Sequence, residues 1–189
     1  AAWGEVLGFA QFIKIVDGET VLISNGFAPT FGAAWDSNSY AQQWSLVEGE
    51  PPTNTKEVVM DVVTAENHEF SVGDRVTVLA GATPASFTIV GIAEFANVGA
   101  PGGATFALFE FRTAQKLLDS RGEVDLINVV IENNFDINDV KSEITKLDSE
   151  NLNVINAQEA AAEQADSIKQ GLDFFNTILN VFAGIAIFV

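Results

Sequence analysis

The C-terminal end of the chain is the feature that most constrains its fold. Residues 174–189 read FFNTILNVFAGIAIFV and carry no charged side chain. At about 1.5 Å per residue a helix of this length spans about 24 Å, which is less than the roughly 30 Å hydrocarbon layer of a bilayer. The segment therefore reads either as part of a membrane-spanning helix or as a buried core helix.

The residues before this segment favour the membrane-spanning interpretation. Asn156 is a good helix N-cap, Glu159 stands three positions after it as in a capping box, and no helix breaker comes before Gly171. The predicted helix 157–189 is polar and acidic in its first half and apolar on nearly all sides in its second half, as expected where a helix passes from water into lipid. The chain opens on AAWGEV and stops within the apolar run, so we expect an excised domain.

The charge balance limits the classes of partner. The chain has 26 Asp and Glu against 9 Lys and Arg, a formal net charge of −17, which repels the phosphates of a nucleic acid. A hydrophobic content of 48% indicates a folded protein rather than a disordered acidic tail. The flank of the apolar segment lacks the Lys and Arg excess that is typical of a cytoplasmic side. We therefore expect a domain on the extracytoplasmic side of the cell membrane, with no nucleic-acid partner.

The N-terminal segment predicts a β-hairpin followed by an aromatic segment. Alternating apolar residues within 3–27 predict two strands that turn at Asp17-Gly18. The next segment, up to Leu46, is expected to be a loop or short helix. Its widely spaced aromatic residues form either a binding surface or, more commonly, anchors that hold the loop to the core; they are Phe27, Phe31, Trp35, Tyr40 and Trp44.

The middle of the chain predicts a β-rich block. Gly49, Pro51 and Pro52 indicate a boundary, and short strands are predicted at 57–63, 75–79 and 86–92. Residues 64–70 are predicted to form one helical turn capped by Thr64. The glycine-rich stretch 97–103, which includes Gly99 and Gly102, is predicted to be a connector.

From Ala104 onward the pattern alternates between strand and helix. Strands are predicted at 104–111, 124–132 and 152–155, with helices at 113–122 and 136–147. Asp136 or Asn138 is expected to cap the second helix, and Val140, Ile144 and Leu147 are expected to form its buried face.

These patterns predict an α+β fold with two lobes. Residues 1–47 and 99–156 are expected to form an α/β sandwich lobe, residues 48–98 an inserted β-rich lobe, and residues 157–189 the long helix leading into a membrane span.

Residues with catalytic potential are sparse. His68 is the only histidine and there is no cysteine, so a catalytic triad, a thiolate or a histidine-based metal site is not expected. Asp61 and Glu66 are a conceivable acid–base pair, but with 26 carboxylates some fall near one another by chance. We predict no enzymatic activity, no catalytic, metal or cofactor site, and only weak candidates for cargo or partner contacts: Trp35, Tyr40, Trp44, Gly99 and Gly102.

An ordered set of segments carries a family resemblance. It comprises Gly-Glu-Pro-Pro at 49–52, EVVMD at 57–61, VGDRVTV at 72–78, FTIVGI at 87–92, FRTAQKLL at 111–118, GEVDLINVVIE at 122–132 and the apolar end at 175–189. In this order the segments resemble the extracytoplasmic domain of MacB/FtsX/LolC-type ABC transporter permeases, in particular those of actinobacteria.

The resemblance implies a mechanical role. A separate ATPase subunit would drive motion that the domain uses to export or handle a lipid, lipoprotein or peptide, or to activate a cell-wall enzyme. It also implies the membrane as a partner and, as a further option, a second permease domain or dimer mate. The alternative is an extracellular module that binds a ligand or lipid without transport.

Overall fold

The computed structural model describes residues 1–16, 19–36, 43–81, 83–96, 99–148, 152–163 and 166. They divide into two compact units, one of residues 1–130 and one that begins at Ile131. The predicted membrane span at 174–189 lies outside the described residues.

The first unit is built mainly from strands. These are β1 (Ala2–Glu5), β2 (Leu7–Phe9), β3 (Gln11–Val16), β4 (Glu19–Ile23), β5 (Thr30–Ala34), β6 (Trp44–Gly49), β7 (Glu57–Asp61), β8 (Arg75–Ala80), β9 (Thr83–Phe95), β10 (Thr105–Phe109) and β11 (Leu126–Val129). Two helices, α1 (Val62–His68) and α2 (Phe111–Leu117), and a 3-10 turn at Pro101–Gly103 lie between them. The α+β class is confirmed.

Nine of the described strands form one mixed sheet centred on β9. The order is β2-β5-β10-β7-β9-β8-β3-β4, with β6 paired to β9 outside this path. The first half of β9 pairs with β8 and its second half pairs with β6, while β7 runs parallel to it. The predicted strands of the β-rich block are confirmed. The N-terminal segment forms four strands, β1 to β4, rather than the predicted two. β3 and β4 pair antiparallel as expected of a hairpin, with Phe12 opposite Ile23, and the predicted turn at Asp17-Gly18 lies outside the described residues.

Hydrogen bonding in this sheet crosses the boundaries that we predicted for the inserted lobe. Met60 of β7 lies opposite Ala107 of β10, and Val78 of β8 lies opposite Phe12 of β3. Positions 48 and 98 are therefore not borders of the sheet.

The prediction of a loop or short helix for the aromatic segment is wrong. Residues in this segment form β5 and β6, and β5 lies between β2 and β10. Gly32, Ala33 and Ala34 have low strand propensity, and close packing excludes a side chain at Gly32. A Cβ at Gly32 would lie 2.7 Å from the Cβ of Ala10.

Two further predictions for the first unit are corrected. Helix α1 is capped by Asp61 rather than Thr64, because the Asp61 carboxylate accepts a hydrogen bond from the Thr64 N–H. The alternation of strand and helix after residue 104 is present, but its strands do not share one sheet. β10 lies in the large sheet, whereas β11 pairs antiparallel with β1.

The second unit contains α3 (Ile137–Thr145) and the start of a fourth helix, α4, at residues 157–163. Asp136 caps α3 as predicted, accepting hydrogen bonds from the N–H groups of Asn138 and Asp139 at 2.8 and 3.2 Å. The predicted buried face is present only in part: Val140 and Ile144 are half-buried, but Leu147 is 80% exposed and no residue of α3 is fully buried.

The predicted strand at 152–155 is also wrong, because these residues have neither helical nor strand structure. A strand needs a hydrogen-bonded neighbour. The described residues of this unit contain no other strand.

Candidate functional site: a tryptophan-lined cavity

The first unit contains a cavity of about 400 Å³ where several of its elements meet. Its walls are formed by β1 and β10, by the ends of β5 and β9, and by the starts of β6 and α2. The described lining residues are Trp3, Gly4, Glu5, Val6, Leu7, Ala33, Ala34, Trp35, Asp36, Gln43, Trp44, Phe95, Phe106 and Phe111.

The three tryptophans of the chain all line this cavity. Trp35 follows β5 and is 7% exposed, and its backbone N–H donates a hydrogen bond to the Phe109 carbonyl at 2.7 Å. Trp44 begins β6 opposite Phe95. Sequence separation therefore gives no measure of the distance between these rings, because sheet pairing brings them together.

Aromatic contacts hold the Trp44 ring in place. Its centroid lies 5.3 Å from that of Phe95 in an edge-on arrangement and 5.0 Å from that of Phe106. The Phe106 ring also contacts Phe31 at 5.3 Å. Such pairs stabilise by about 0.5–1.5 kcal/mol beyond the burial of their area, so these contacts stabilise the position of the Trp44 ring.

The charged groups of the lining are acidic. Glu5 and Asp36 contribute carboxylates, and none of the described lining residues is Lys, Arg or His. The Glu5 Oε1 atom accepts a hydrogen bond from the Asn128 amide, which fixes the side chain without neutralising its charge. The site therefore disfavours anions.

The Trp3 indole has an unusual environment. Its Nε1 atom is buried and has no hydrogen-bond acceptor among the residues that the structure describes. A buried donor in this condition costs about 1–3 kcal/mol.

A buried carboxylate supports the cavity wall from behind. Asp61 accepts hydrogen bonds from the N–H of Thr64 and from the N–H of Phe106, both at 2.8 Å. Burial raises the pKa of Asp61, and the hydrogen bonds to it offset this only in part. The Thr64 hydroxyl in turn donates to the Thr105 hydroxyl at 3.2 Å, which ties α1 to β10.

The structure brings together two of the five predicted contact residues, Trp35 and Trp44. Gly99 is buried, and a Cβ there would lie 3.0 Å from Val63 Cγ2. Gly102 is exposed in the 3-10 turn, and neither glycine lines the cavity. Tyr40 lies outside the described residues.

Sequence analysis missed four aromatic residues of the site: Trp3, Phe95, Phe106 and Phe111. Phe95 ends β9, Phe111 begins α2, and Trp3 and Phe106 are each the second residue of a strand. Positions close to the ends of elements could have indicated a shared edge, but only with knowledge of which strands are neighbours.

The described residues contain no group of three or more His, Cys, Asp or Glu side chains that could hold a metal ion. None of the helices in the described part of the chain combines the length and apolar character needed to cross a membrane.

Comparisons with known proteins identify a family and a shared fold. The family model of the MacB-like periplasmic core domain matches residues 6–147. A domain of a predicted permease from Porphyromonas gingivalis has a TM-score of 0.52 and 14% identity, over 81% of this chain and 70% of that chain. The periplasmic region of MacB from Actinobacillus actinomycetemcomitans has a TM-score of 0.53 and 14% identity, over 92% and 75%. No curated protein sequence matches.

Proposed function

Because the chain belongs to the family of MacB-like periplasmic core domains of ABC transporter permeases, we propose that it passes ATPase-driven motion from the membrane to a molecule outside it. The cargo would be a lipid, lipoprotein or peptide, or the target a cell-wall enzyme that the motion activates. In this role the domain lies on the extracytoplasmic side of the cell membrane, binds no nucleic acid and catalyses no reaction itself.

The start of α4 is the observation that supports this proposal. Asn156 Oδ1 accepts hydrogen bonds from the N–H groups of Gln158 and Glu159, both at 2.9 Å, and Glu159 accepts one from the Asn156 N–H at 2.8 Å. This is the predicted capping box. Glu159 also accepts a hydrogen bond from Lys141 of α3 at 2.6 Å.

A helix that transmits motion needs a defined start, which the capping box gives α4, and the hydrogen bond from Lys141 links that start to α3. The hydrogen bond from Lys141, followed by that from the Asn156 N–H, lowers the pKa of Glu159. The carboxylate is therefore ionised, and the contacts intact, at neutral pH. The predicted continuation of the helix to residue 189 would carry the motion.

Purification of the parent permease from its native cells in mild detergent tests the proposal. An ATPase with a Walker motif is expected to accompany it in stoichiometric amount. Recovery of a soluble protein without any ATPase would contradict the transporter proposal. It would favour the alternative of an extracellular ligand-binding module, for which the tryptophan-lined cavity is the supporting observation.

A proline pair tests the mechanical role of α4. Ala161→Pro removes a helical hydrogen bond and kinks the helix, whereas Ala157→Pro falls at the first helical position, where proline is well tolerated. In the parent with its ATPase, Ala161→Pro is expected to preserve ATP hydrolysis but abolish ATP-dependent changes in hydrogen exchange within residues 1–130. Ala157→Pro should preserve both. Equal behaviour of the two variants would contradict the proposal that α4 transmits the motion.

A further inference from the structure

The cavity has the size and walls of a small-molecule site. Its volume of about 400 Å³ falls within the range of roughly 300–1,000 Å³ that is usual for such sites. Six aromatic side chains line it: Trp3, Trp35, Trp44, Phe95, Phe106 and Phe111. Aromatic faces carry partial negative charge, so they attract cations as well as apolar groups.

The charge of the lining selects among ligands. The Glu5 carboxylate lies among these rings, and the described lining contains no basic side chain. An anion would meet a like charge beside the rings, whereas a cation would meet an opposite charge and ring faces together. A neutral apolar ligand would leave the Glu5 carboxylate without a countercharge from the ligand.

The Glu5 carboxylate is oriented by a hydrogen bond from a neutral group. Its hydrogen-bond donor is the neutral Asn128 amide. Asn128 lies opposite Trp3 in the β1–β11 pair, so the strand pairing that places Trp3 in the wall also places the amide that orients Glu5.

We propose that this cavity binds an organic cation with a quaternary or alkylated ammonium group and a short apolar chain. The cationic head contacts the Trp44 ring and the Glu5 carboxylate, and the chain lies against the remaining aromatic rings. This inference stands on the cavity alone and does not depend on the transporter proposal.

Titration of the full chain with hexyltrimethylammonium chloride, followed by tryptophan fluorescence, tests the proposal. The signal is specific because all three tryptophans of the chain line the cavity. Saturable binding is expected, at least tenfold tighter than that of hexanoate or 1-hexanol, which carry a similar chain on an anionic or neutral head. The proposal would be overturned if hexanoate or 1-hexanol bound as tightly as hexyltrimethylammonium, or if hexyltrimethylammonium binding did not saturate.

Two variants locate the site. Trp44→Leu keeps an apolar side chain but removes the ring face, and is expected to weaken binding about 3- to 30-fold. Glu5→Gln keeps an acceptor for Asn128 and should weaken binding at least about threefold.

Glu50→Gln is the matched control for Glu5→Gln, because Glu50 is exposed and does not line the cavity although its removal changes the net charge equally. An equal loss of affinity in Glu5→Gln and Glu50→Gln would show non-specific attraction to an acidic protein and would contradict the site. Circular dichroism of each variant verifies that the fold is retained.

Discussion

Asp61 shows how one side chain joins two parts of the first unit. One carboxylate oxygen caps α1 and the other accepts the N–H of Phe106 in the cavity wall. Since the side chain is fully buried, removing either bond leaves a donor without a partner, which is among the more costly defects in a protein interior.

We predict that Asp61→Asn destabilises the chain by about 1–3 kcal/mol, because the amide can accept from Thr64 but presents a donor to the Phe106 N–H. Chemical denaturation measures the effect. Asp74→Asn is the control: Asp74 is exposed and accepts a hydrogen bond from the Ser71 N–H at 2.8 Å, so a loss below about 1 kcal/mol is expected there.

The contribution of Asp61 to stability depends on pH. Because burial raises the pKa of Asp61 in the folded state, this contribution is fully present below the ordinary aspartate pKa of about 3.9. It is lost as the pH rises through the folded-state pKa. The stability difference between the wild type and Asp61→Asn should therefore grow as the pH is lowered from 7 to 4. A difference that shrinks would contradict a raised pKa.

Gly49 ends β6 with a backbone that other residues avoid. Its φ is +79°, and a Cβ would lie 2.1 Å from the Val90 carbonyl oxygen, which accepts a hydrogen bond from the Glu50 N–H. An alanine would therefore push the β6–β9 pairing apart as well as strain its own backbone.

Gly49→Ala is predicted to destabilise the chain more than Gly26→Ala does, by a further amount of about 1–3 kcal/mol in thermal or chemical unfolding. Gly26 has a similar φ of +70°, but a Cβ there would have no described atom within 4 Å. The two variants thus separate the steric clash from backbone strain. Equal losses of stability would show that β9 moves aside without a measurable cost.

At the scale of elements, local signals were predictable and sheet neighbours were not. Short windows of sequence show the apolar residues that mark β7, β8 and β9 and the capping box of α4. Both signals are visible because the hydrogen bonds and apolar faces involved are local. β5 escaped prediction because Gly32, Ala33 and Ala34 stand where a strand usually has β-branched residues. The cap of α1 was misassigned to Thr64 because the true acceptor, Asp61, also ends a strand.

The N-cap of α4 gives a prediction for this element. Asn156→Ala removes the acceptor of two N–H groups, worth about 1 kcal/mol for a typical cap. The amides of Gln158 and Glu159 should exchange about fivefold faster by hydrogen-exchange NMR. Asn153→Ala, at an exposed position before the helix, should leave both rates unchanged, and an unchanged rate in Asn156→Ala would show that Lys141 and Glu159 suffice to hold the helix start.

At the scale of the whole molecule, the family and the α+β class followed from the order of segments along the chain. The cavity did not, because it depends on contacts between residues far apart in sequence. Trp3 reaches the site through the pairing of β1 with β11, and Trp44 through the pairing of β6 with β9. No pattern in a single sequence specifies such pairings, so only two of its aromatic residues were among the predicted contacts.

The β1–β11 pair also determines how the first unit responds to force. Ala2 lies opposite Val129, and the Val130 N–H donates to the Ala1 carbonyl at 2.8 Å, so both ends of the unit leave from the same end of one antiparallel pair. Pulling these ends apart would load the hydrogen bonds one after another, as in opening a zipper, rather than all at once in shear. Separating the two ends would therefore open the β1–β11 pair at low force, whereas ends that travel together would leave the pair closed.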